Sequence, residues 1–542
     1  MDNYFVSSCK RVKDWICRQF GQKEKKTVHH KKFADGGEVI VWETGRAGEE
    51  AASYENLFLR KEIAGFRTNI RREQSCSIKS LTRDYLYKQL LSSGEYTFDH
   101  MLVIKDPYGE APLTALALFI LEEPACVRVT TKGNLKETDF VTELPKKKEH
   151  RVPILGMYAE KANDIVIEIL DDEGNCVKSH TFTIRTKRLP KSLRNVITVK
   201  KWTDKPAYSN IMINGGVKIH TCVFDIEGEI RYYLSRKPRG YGIFPLSDGH
   251  FFYMEKYISV PSYSNPQTVE SYDMDYFGRV FRTYLTEKGV HHTAEEKAGG
   301  NILTGRNSML EHTEDCVIEI DRQTGEIVWQ LNMAEIFDET YQDMMDWCHV
   351  NSAAYYEKDR TILISLRNVH AVICVDYDTK KLRWILSDPK FWEGTKMTPY
   401  LLQPEGDVKW CYQQHAAFEI ALPDESNPQK KRIIVYDNHW AKRRKAKSFD
   451  KDPLSYVSFY DIDEEKKTVS LHKRFAGPKT RIRANGIYVP DKKRVYNMAG
   501  SYAEPVDGDG GGIFEYDYET GEVLSEFGVK PGFFRAYPFE PN

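Results

Sequence analysis

The amino-acid sequence contains no long apolar run. In a chain of 542 residues, no stretch reaches the about 18 apolar residues that a membrane-spanning helix requires, and the longest, 113–121, has the length of a buried strand. Residues 1–26 have charges between all their short apolar groups, so they lack the continuous core of roughly 7–15 apolar residues that marks a secretory signal. Both absences predict a protein without a membrane span that stays in the cytoplasm.

Cysteine pairs and an excess of one charge are missing as well. None of the ten cysteines is part of a C-x-x-C motif, so the sequence predicts neither a zinc knuckle nor a thioredoxin-type redox site. The 78 basic and 79 acidic residues leave a net charge of −1, which predicts no nucleic-acid partner. A G-x-x-x-x-G-K-S/T loop is also absent, which argues against a cosubstrate held on a phosphate-binding loop.

Changes of pattern along the chain divide it into three segments, as its length of 542 residues suggests. Residues 1–90 are basic, mixed and poorly periodic, and we predict a partly ordered leader there. Residues 91–190 contain short runs of alternating Val, Ile and Thr between turn formers such as those at 172–175, a pattern typical of a small antiparallel β-sandwich. Residues 191–542 carry an internal repeat.

The repeat consists of an apolar strand that ends in Asp, a tight turn that usually contains Gly, and a strand with an aromatic residue. It occurs six times, with its aspartates at Asp225, Asp275, Asp321, Asp376, Asp461 and Asp517. Most of these spacings are close to the about 40–50 residues of one four-stranded propeller blade. The sequence therefore predicts an all-β protein in which a six-bladed β-propeller follows a small N-terminal β-sandwich domain.

Histidines precede predicted strands in successive parts of this repeat, at His291 with His292, at His349 and at His415. The equivalent loops of a propeller meet at one mouth of its central channel, so these side chains are predicted to share a pocket. Arg367 ends the strand ILISLR and is predicted to reach the same region.

The pattern alone leaves other interpretations open. A histidine in a propeller is often a structural hydrogen-bonding residue, and Arg367 could be a structural ion-pair partner. Three histidines could also hold a metal ion. Because no H-E-x-x-H motif occurs and Arg367 would repel a cation, we predict neither a metal nor a cofactor.

A series of short motifs resembles the bacterial arylsulfate sulfotransferase family. The series consists of Asp346-Trp347-x-His349-x-Asn351-Ser352, Ser365-x-Arg367, Gln414-His415 and Asp437-Asn438. The pair His291-His292 is similar to the first active-site histidine loop of that family, and residues 106–116 and 153–159 resemble its small β-domain. The resemblance extends over residues 98–542 in the right order.

This resemblance implies sulfuryl transfer from an aryl sulfate donor to a phenolic acceptor through a covalent sulfohistidine, without a phosphoadenylyl donor. It implies that His415 is the nucleophile, that His349, Arg367 and His292 are catalytic, and that Asn351 and His291 contact the substrate. A hydroxyl-bearing residue that the family has late in the chain lacks a counterpart in the stretch 481–486, RIRANG. A homodimer through the N-terminal domain is a further expectation.

The residue types suit such a reaction independently of the family. A transferred sulfuryl group keeps negative charge on its oxygens, so it needs a good nucleophile and fixed cationic donors. Imidazole is mostly neutral at pH 7, and the planar guanidinium of Arg367 can bind two oxygens. Two other functions remain open: a non-catalytic propeller that binds a small anion or a protein partner, and an aryl sulfatase that uses water as the acceptor.

Overall fold

The computed structural model describes residues 28–33, 37–43, 45–46, 50, 76–203, 205–216, 218–236, 241–258, 267–308, 312–422, 426–440 and 452–540. Strands make up most of this part of the chain. Within it, no helix is both long enough and apolar enough to cross a membrane. Helix α1 spans Cys76–Ser92, and short 3₁₀ turns occur at Lys136–Thr138, Lys191–Leu193, Met333–Glu335, Glu339–Tyr341, Arg367–Val369, Pro389–Phe391 and Thr398–Tyr400.

The N-terminal domain is one seven-stranded sheet. Its strands are β1 (Val28–Lys32), β2 (Glu38–Trp42), β3 (His100–Lys105), β4 (Ala115–Thr131), β5 (Phe140–Ile154), β6 (Ala162–Leu170) and β7 (Cys176–Arg185). They follow the order β1-β2-β3-β4-β6-β7, and β5 pairs with β4 along most of its length. The segment predicted as a leader thus contributes β1, β2 and α1, and alternate apolar side chains of the sheet form its core.

The C-terminal residues form five further sheets in a propeller-like arrangement. The first sheet contains β9 (Asn210–Asn214), β10 (Cys222–Asp225) and β11 (Ile230–Tyr233). The second sheet contains β12 (Gly242–Pro245), β13 (Phe251–Ile258), β14 (Gln267–Met274), β15 (Val280–Glu296), β16 (Ile302–Arg306), β17 (Cys316–Ile320) and β18 (Ile327–Asn332). The third contains β19 (Val350–Tyr356), β20 (Thr361–Leu366), β21 (Ala371–Asp376) and β22 (Leu382–Leu386).

The last two sheets are five-stranded. One contains β23 (Gln403–Pro404), β24 (Ala417–Ile420), β25 (Lys430–Asp437), β26 (Leu454–Asp463) and β27 (Thr468–Pro478). The other contains β28 (Asn485–Val489), β29 (Arg494–Ala499), β30 (Gly511–Asp517), β31 (Val523–Val529) and β8 (Ile197–Lys201). Apart from the short parallel contact between β23 and β27, strand pairing in the C-terminal sheets is antiparallel.

The two ends of the C-terminal region complete each other's sheets. The last strand, β32 (Arg535–Phe539), pairs with β9 of the first sheet in the register Arg535↔Asn214. The first strand, β8, pairs with β31 of the last sheet in the register Ile197↔Val529. Because each end of the region supplies a strand to the sheet at the opposite end, these pairings hold the first and the last sheet together and close the arrangement.

The predicted turn aspartates are found at strand ends in five of the six repeats. Asp321 shows the geometry, since its Oδ1 accepts hydrogen bonds from the backbone N–H groups of Gln323 at 2.9 Å and Thr324 at 2.8 Å. The fifth repeat was assigned to the wrong residue. Asp461 lies inside β26 and pairs with Arg432, and the turn follows Asp463 instead.

The all-β fold and the propeller-like arrangement are confirmed, whereas a count of six blades is not. The described strands of the C-terminal region form five sheets, one of which has seven strands. The long strand β15 lies at the centre of that sheet and pairs with β14 along its first part and with β16 along its second part.

A buried arginine joins the N-terminal domain to the first C-terminal sheet. Arg231 is fully buried, and its Nε donates to the carbonyl of Gly156 at 2.9 Å while its Nη1 donates to that of Thr138 at 2.7 Å. Nη1 also donates to Asp225 Oδ2 at 3.1 Å, and the guanidinium lies 3.9 Å from the ring centroid of Tyr158. This one side chain therefore satisfies groups of both domains.

Replacing Arg231 should destabilise the protein strongly. Arg231→Ala leaves the carboxylate of Asp225 buried without its cation, which should cost about 3–5 kcal/mol of unfolding free energy. The control Arg128→Ala breaks the exposed pair with Glu143 and should cost at most about 1 kcal/mol. Urea denaturation of both variants checks this, and equal losses would contradict it.

Candidate active site

Aromatic and imidazole rings meet where the inner strands of the C-terminal sheets begin. Four such side chains lie just before an inner strand, namely Tyr241, His349, His415 and Phe534. The fifth, His292, lies within β15, where the pairing of this strand passes from β14 to β16. The ring centroid of His292 lies 4.4 Å from that of Tyr241, 4.6 Å from that of His349 and 6.0 Å from that of His415. The ring of Phe534 lies 5.7 Å from that of His415. We call these five side chains the mouth cluster.

The inner strands that carry the mouth cluster are neighbours in space. Contacts join β12 to β15, β15 to β19, β19 to β24, and β28 to β32. A cavity of about 210 Å³ lies among them, lined by Glu295, Phe418, Asn485 and Arg535 but by none of the three histidines. The histidines therefore lie at the end of the inner strands and outside this cavity.

Left-handed backbone conformations set the direction of these side chains. His292 and His349 both have φ of 58°. Ala416, which follows His415, has φ of 146°, a value that few residues except glycine adopt without strain. Strand β15 also has a β-bulge at its histidine pair, and bulges re-aim side chains. Such strain persists only where the surrounding structure holds it, and it is frequent at functional sites.

The loop before His415 is held by several hydrogen bonds. The backbone N–H of His415 donates to the carbonyl of Tyr436 at 2.9 Å. The side chain of Gln414 donates to the carbonyl of Ala371 at 2.7 Å, and Asn351 donates through Nδ2 to the carbonyl of Gln414 at 2.8 Å. These bonds to strands on either side give the loop one position.

His415 is a buried, neutral imidazole. It is only 2% exposed, and its Nδ1 lies 2.8 Å from the carbonyl oxygen and 3.1 Å from the backbone nitrogen of Ala484. Burial lowers the pKa of His415 well below its usual range, and the positive charges of Arg535 and Arg367 lower it further. The ring is therefore uncharged at neutral pH, as a nucleophilic nitrogen must be.

His349 has the opposite charge state because two carboxylates surround it. Its Nδ1 lies 2.6 Å from Glu314 Oε2 and 2.9 Å from Asp346 Oδ2. Burial alone would lower the pKa of His349, but the charges of Asp346 and Glu314 raise it to about 9. Burial likewise opposes ionisation of Glu314, yet the positive charge of His349 and its hydrogen bond bring the pKa of Glu314 well below the usual range. His349 is thus a protonated hydrogen-bond donor. The hydroxyl of Tyr241 also donates to Glu314, at 2.9 Å.

Two guanidinium groups lie beside His415. Arg367 begins a 3₁₀ turn after β20, is 7% exposed, and donates to Asn368 Oδ1 at 3.2 Å. Arg535 begins β32, is 1% exposed, and donates to the carbonyl of Asn351 at 2.8 Å. Its Nη1 lies 3.6 Å from Glu295. The site therefore combines a neutral imidazole with fixed positive charge, an arrangement suited to an oxyanion.

Of the predicted residues, the structure brings His292, His349 and His415 together and places Arg367 beside His415, whereas His291 and Asn351 lie behind these side chains. His292 contacts the rings of His349 and His415, whereas His291 lies behind it, with the two Nδ1 atoms 3.3 Å apart. The amide of Asn351 is fully buried and donates to backbone. Asn351 was predicted to contact the substrate, and in the structure its amide holds the loop before His415.

Sequence reasoning missed Glu314, Tyr241 and Arg535. Tyr241 precedes β12 just as His349 precedes β19, and that equivalence is a signal that could have found it. Arg535 reaches the site only because β32 pairs with a strand more than three hundred residues earlier, and Glu314 only because its loop lies beside His349. Nothing local in the sequence indicates either residue.

Among the residues that the structure describes, two sets of side chains could hold a metal ion. They are His291, His292 and Glu314, and Glu314, Asp346 and His349, and the ligand atoms of each set lie within 4.8 Å of one another. No H-E-x-x-H motif underlies either set, which is why the sequence did not predict them. In the structure the shared carboxylate of Glu314 is engaged by His349 and Tyr241.

A neutral imidazole, a protonated imidazole and two guanidiniums lie together on a propeller-like fold, an arrangement that can hold an oxyanion beside a nitrogen nucleophile. The sequence model of the arylsulfotransferase (ASST) family matches residues 195–535, and that of the arylsulfotransferase Ig-like domain matches residues 102–187. The chain belongs to the arylsulfotransferase family. The second match agrees with the predicted N-terminal β-sandwich.

Characterised relatives support the same assignment. The arylsulfate sulfotransferase AssT of Lelliottia amnigena is 22% identical over 79% of this chain and 90% of that protein. AssT of Escherichia coli O6:H1 (strain CFT073) is 23% identical, with the same coverage of 79% and 90%. A solved protein of unknown function from Bacteroides caccae is 11% identical, covers 61% of this chain and 98% of its own, and has a TM-score of 0.39, too low to support an argument.

The raised pKa of His349 should depend on Glu314. In Glu314→Gln one of the two carboxylates is gone, so the pKa of His349 should fall from about 9 toward the ordinary value. A folded-state pKa above the unfolded one adds stability that is complete below about pH 6.5 and is lost as pH rises through about 9. The variant should therefore show a flatter decline of unfolding free energy between these pH values.

Nuclear magnetic resonance of ¹⁵N-histidine-labelled protein measures the titration directly, and urea denaturation measures the stability. Glu357→Gln removes an exposed carboxylate and is the matched control. An unchanged His349 titration in Glu314→Gln would contradict the assignment of charge in this site.

Proposed function

We propose that this protein transfers a sulfuryl group from an aryl sulfate to a phenol in two steps, through a sulfohistidine at His415. The observation that carries the proposal is the buried, neutral imidazole of His415 beside the charges of Arg535 and Arg367. A neutral nitrogen nucleophile in a positive environment suits an electrophile that bears negative oxygens. The names of the two bacterial relatives support an aryl sulfate as the donor.

In the first step the Nε2 lone pair of His415 attacks sulfur. Nδ1 of His415 lies closer to the carbonyl oxygen of Ala484, at 2.8 Å, than to its backbone nitrogen, at 3.1 Å, so we assign the proton to Nδ1, which leaves Nε2 free to react. The N–S bond forms as the bond between sulfur and the aryl oxygen breaks. The departing phenolate takes a proton from His349, which is charged at neutral pH.

In the second step the acceptor reverses this sequence. A phenol returns a proton to His349, its oxygen attacks sulfur, and the N–S bond breaks to restore neutral His415. Arg367 is assigned to the sulfuryl oxygens because its planar guanidinium can bind two of them. His292, buried between His349 and His415, is assigned to a further oxygen as a neutral donor.

We also propose that the propeller has six blades. The seven-stranded sheet would then count as two blades that share the long strand β15, with its outer half in one and its inner half in the next. The histidine pair lies where the first pairing gives way to the second. This division makes the position of His292 equivalent to that of His349 before β19.

One assay separates the proposed activity from its alternatives. With 4-nitrophenyl sulfate, a transferase releases nitrophenolate when phenol is added, a sulfatase releases it without phenol, and a non-catalytic propeller releases none. Release that requires phenol is the expected result.

Replacement of His415 should abolish turnover. Incubation of the wild-type protein with aryl sulfate alone should add ~80 Da, the mass of SO₃, to the peptide that carries His415, and initial rates should give the parallel double-reciprocal lines of ping-pong kinetics. His415→Asn should show neither modification nor turnover, whereas His472→Asn, a partly exposed histidine of β27, is the control. Turnover by an unmodified His415→Asn variant, or intersecting lines, would show direct transfer between the substrates.

Loss of Arg367 should slow the reaction without changing its course. Arg367→Ala should reduce kcat by roughly 10²–10³-fold, the usual effect of deleting one preorganised donor to a developing charge. Arg367→Lys keeps the positive charge but loses the planar guanidinium that can bind two oxygens, so its kcat should lie between that of the wild type and that of Arg367→Ala. Arg360→Ala removes an exposed arginine of the β19–β20 turn and is the control. A kcat for Arg367→Ala within a few-fold of the wild-type value would show that Arg367 does not bind the sulfuryl oxygens.

A further inference from the structure

Two consecutive histidines of β15 and one carboxylate lie together at the back of the mouth cluster. The Nδ1 atoms of His291 and His292 are 3.3 Å apart, and Nδ1 of His292 is 3.5 Å from Oε1 of Glu314. All three side chains are buried, and one ligand atom from each lies within 4.8 Å of the other two. We call these three side chains the histidine–glutamate set. The proposed mechanism gives no role to His291.

The backbone brings these side chains together against the ordinary geometry of a strand. Successive side chains of a regular strand point to opposite faces of the sheet, so His291 and His292 would diverge. The bulge of β15 and the left-handed φ of His292, 58°, let them meet, and Glu314 also has a left-handed φ, of 56°. The ring of His291 packs against Gly305, where a Cβ would lie 2.5 Å from Cε1 of the imidazole. Such strain persists only where the structure holds it, and it is frequent at functional sites.

The spacing of the ligand atoms suits a metal ion better than it suits hydrogen bonds. Hydrogen bonds of an N–H group are about 2.7–3.2 Å long, and the distances of 3.3 Å and 3.5 Å exceed that range. Two ligand atoms of a tetrahedral Zn²⁺, each bound at about 2.0–2.1 Å, lie about 3.3–3.4 Å apart. On its other oxygen, Glu314 lies 2.6 Å from Nδ1 of His349, which is a hydrogen-bond length. One oxygen of Glu314 therefore faces a proton, and the other has the position of a metal ligand.

The donor atoms of the histidine–glutamate set have the charge state that a metal requires. Burial lowers the pKa of both His291 and His292, so each ring is neutral at pH 7, and Glu314 is ionised. Two imidazoles with one carboxylate are a ligand set that zinc enzymes use, with a fourth position left open. The carboxylate is also supported from outside, by the hydroxyl of Tyr241 and by His349, as ligating carboxylates usually are.

The local charge also favours a cation, although the sequence predicted no metal because Arg367 would repel one. Glu314 and Asp346 carry two negative charges and His349 one positive charge, so one negative charge is in excess among these three side chains. The guanidinium of Arg367 donates to the carbonyl of Arg481 at 3.4 Å. A divalent ion beside Glu314 would reverse this excess.

We propose that His291, His292 and Glu314 bind one divalent transition-metal ion, and that Zn²⁺ is the ion that these ligands suit best. The inference does not depend on the proposed function, since no step of the transfer passes through the ion. Coordination through Nδ1 leaves the proton of His292 on Nε2, so the ion would hold this ring as a hydrogen-bond donor. Because the ring of His292 contacts those of His349 and His415, the ion would position part of the mouth cluster.

Metal titration of the full-length protein, first dialysed against a chelator, tests the site. Tetrahedral Co²⁺ absorbs visible light, and Zn²⁺ binds nitrogen and oxygen ligands more tightly. One Co²⁺ per chain should therefore bind and then be displaced by Zn²⁺, without the charge-transfer band that a cysteine ligand would give. In protein labelled with ¹⁵N-histidine, Zn²⁺ should shift the Nδ1 resonances of His291 and His292.

Variants identify the ligands. His291→Gln and Glu314→Gln each remove a ligand and should weaken Zn²⁺ binding by more than about 100-fold, whereas Tyr241→Phe removes only a supporting hydrogen bond and should weaken it about 10–100-fold. His100→Gln is the matched control, because this more exposed histidine also lies beside a carboxylate, 3.2 Å from Glu38, and Zn²⁺ binding should be unchanged in it.

Three results would overturn the proposal: a wild-type protein that binds neither Co²⁺ nor Zn²⁺, undiminished affinity in both His291→Gln and Glu314→Gln, or loss of binding in His100→Gln instead. The ¹⁵N measurement on the wild type decides the matter if a variant fails to fold, since unshifted Nδ1 resonances of His291 and His292 would exclude them as ligands. Each readout is binding, so failure of the metal site and failure of the proposed sulfuryl transfer are distinguished.

Discussion

The pairing of the last strand with the first sheet is the constraint on which the site depends. Because β32 pairs with β9, Phe534 and Arg535 lie against His415 although they come from the end of the chain. The pairing of β8 with β31 completes the same closure from the other end. Inner strands held side by side in this way bring residues that are distant in sequence to one mouth, on loops that the sheets keep rigid.

His415 and His349 lie in the same buried cluster but differ in charge. Burial and nearby guanidiniums keep His415 neutral, whereas the carboxylates of Glu314 and Asp346 keep His349 protonated. Neighbouring titratable groups with opposed pKa shifts are how one site provides both a nucleophile and an acid at the same pH. Burying a charge without a partner is costly, and accordingly Arg535 lies beside Glu295 while His349 lies between Glu314 and Asp346.

Sequence reasoning predicted the strand content, the domain order and the repeat, since alternation of apolar residues and Asp-containing turns are local signals. It placed one turn at Asp461 when the strand continues to Asp463, because two similar Asp positions lie within one strand end. The count of six blades stays a proposal, because β15 joins two sets of strands into one sheet. The predicted cytoplasmic location, the homodimer and the roles of the site residues stay predictions.

The sequence by itself determined that this is an all-β chain with histidines before its inner strands, and the spacing of its motifs determined its family. Only the tertiary structure decided that His292 and not His291 faces His415, and that Asn351 holds a loop. The tertiary structure also added Glu314, Tyr241 and Arg535 to the site, and no sequence motif indicates these residues. The physical reason is that periodicity and turns act over a few residues, whereas burial, backbone direction and charge at the site arise from strands that meet only when the ring of sheets closes.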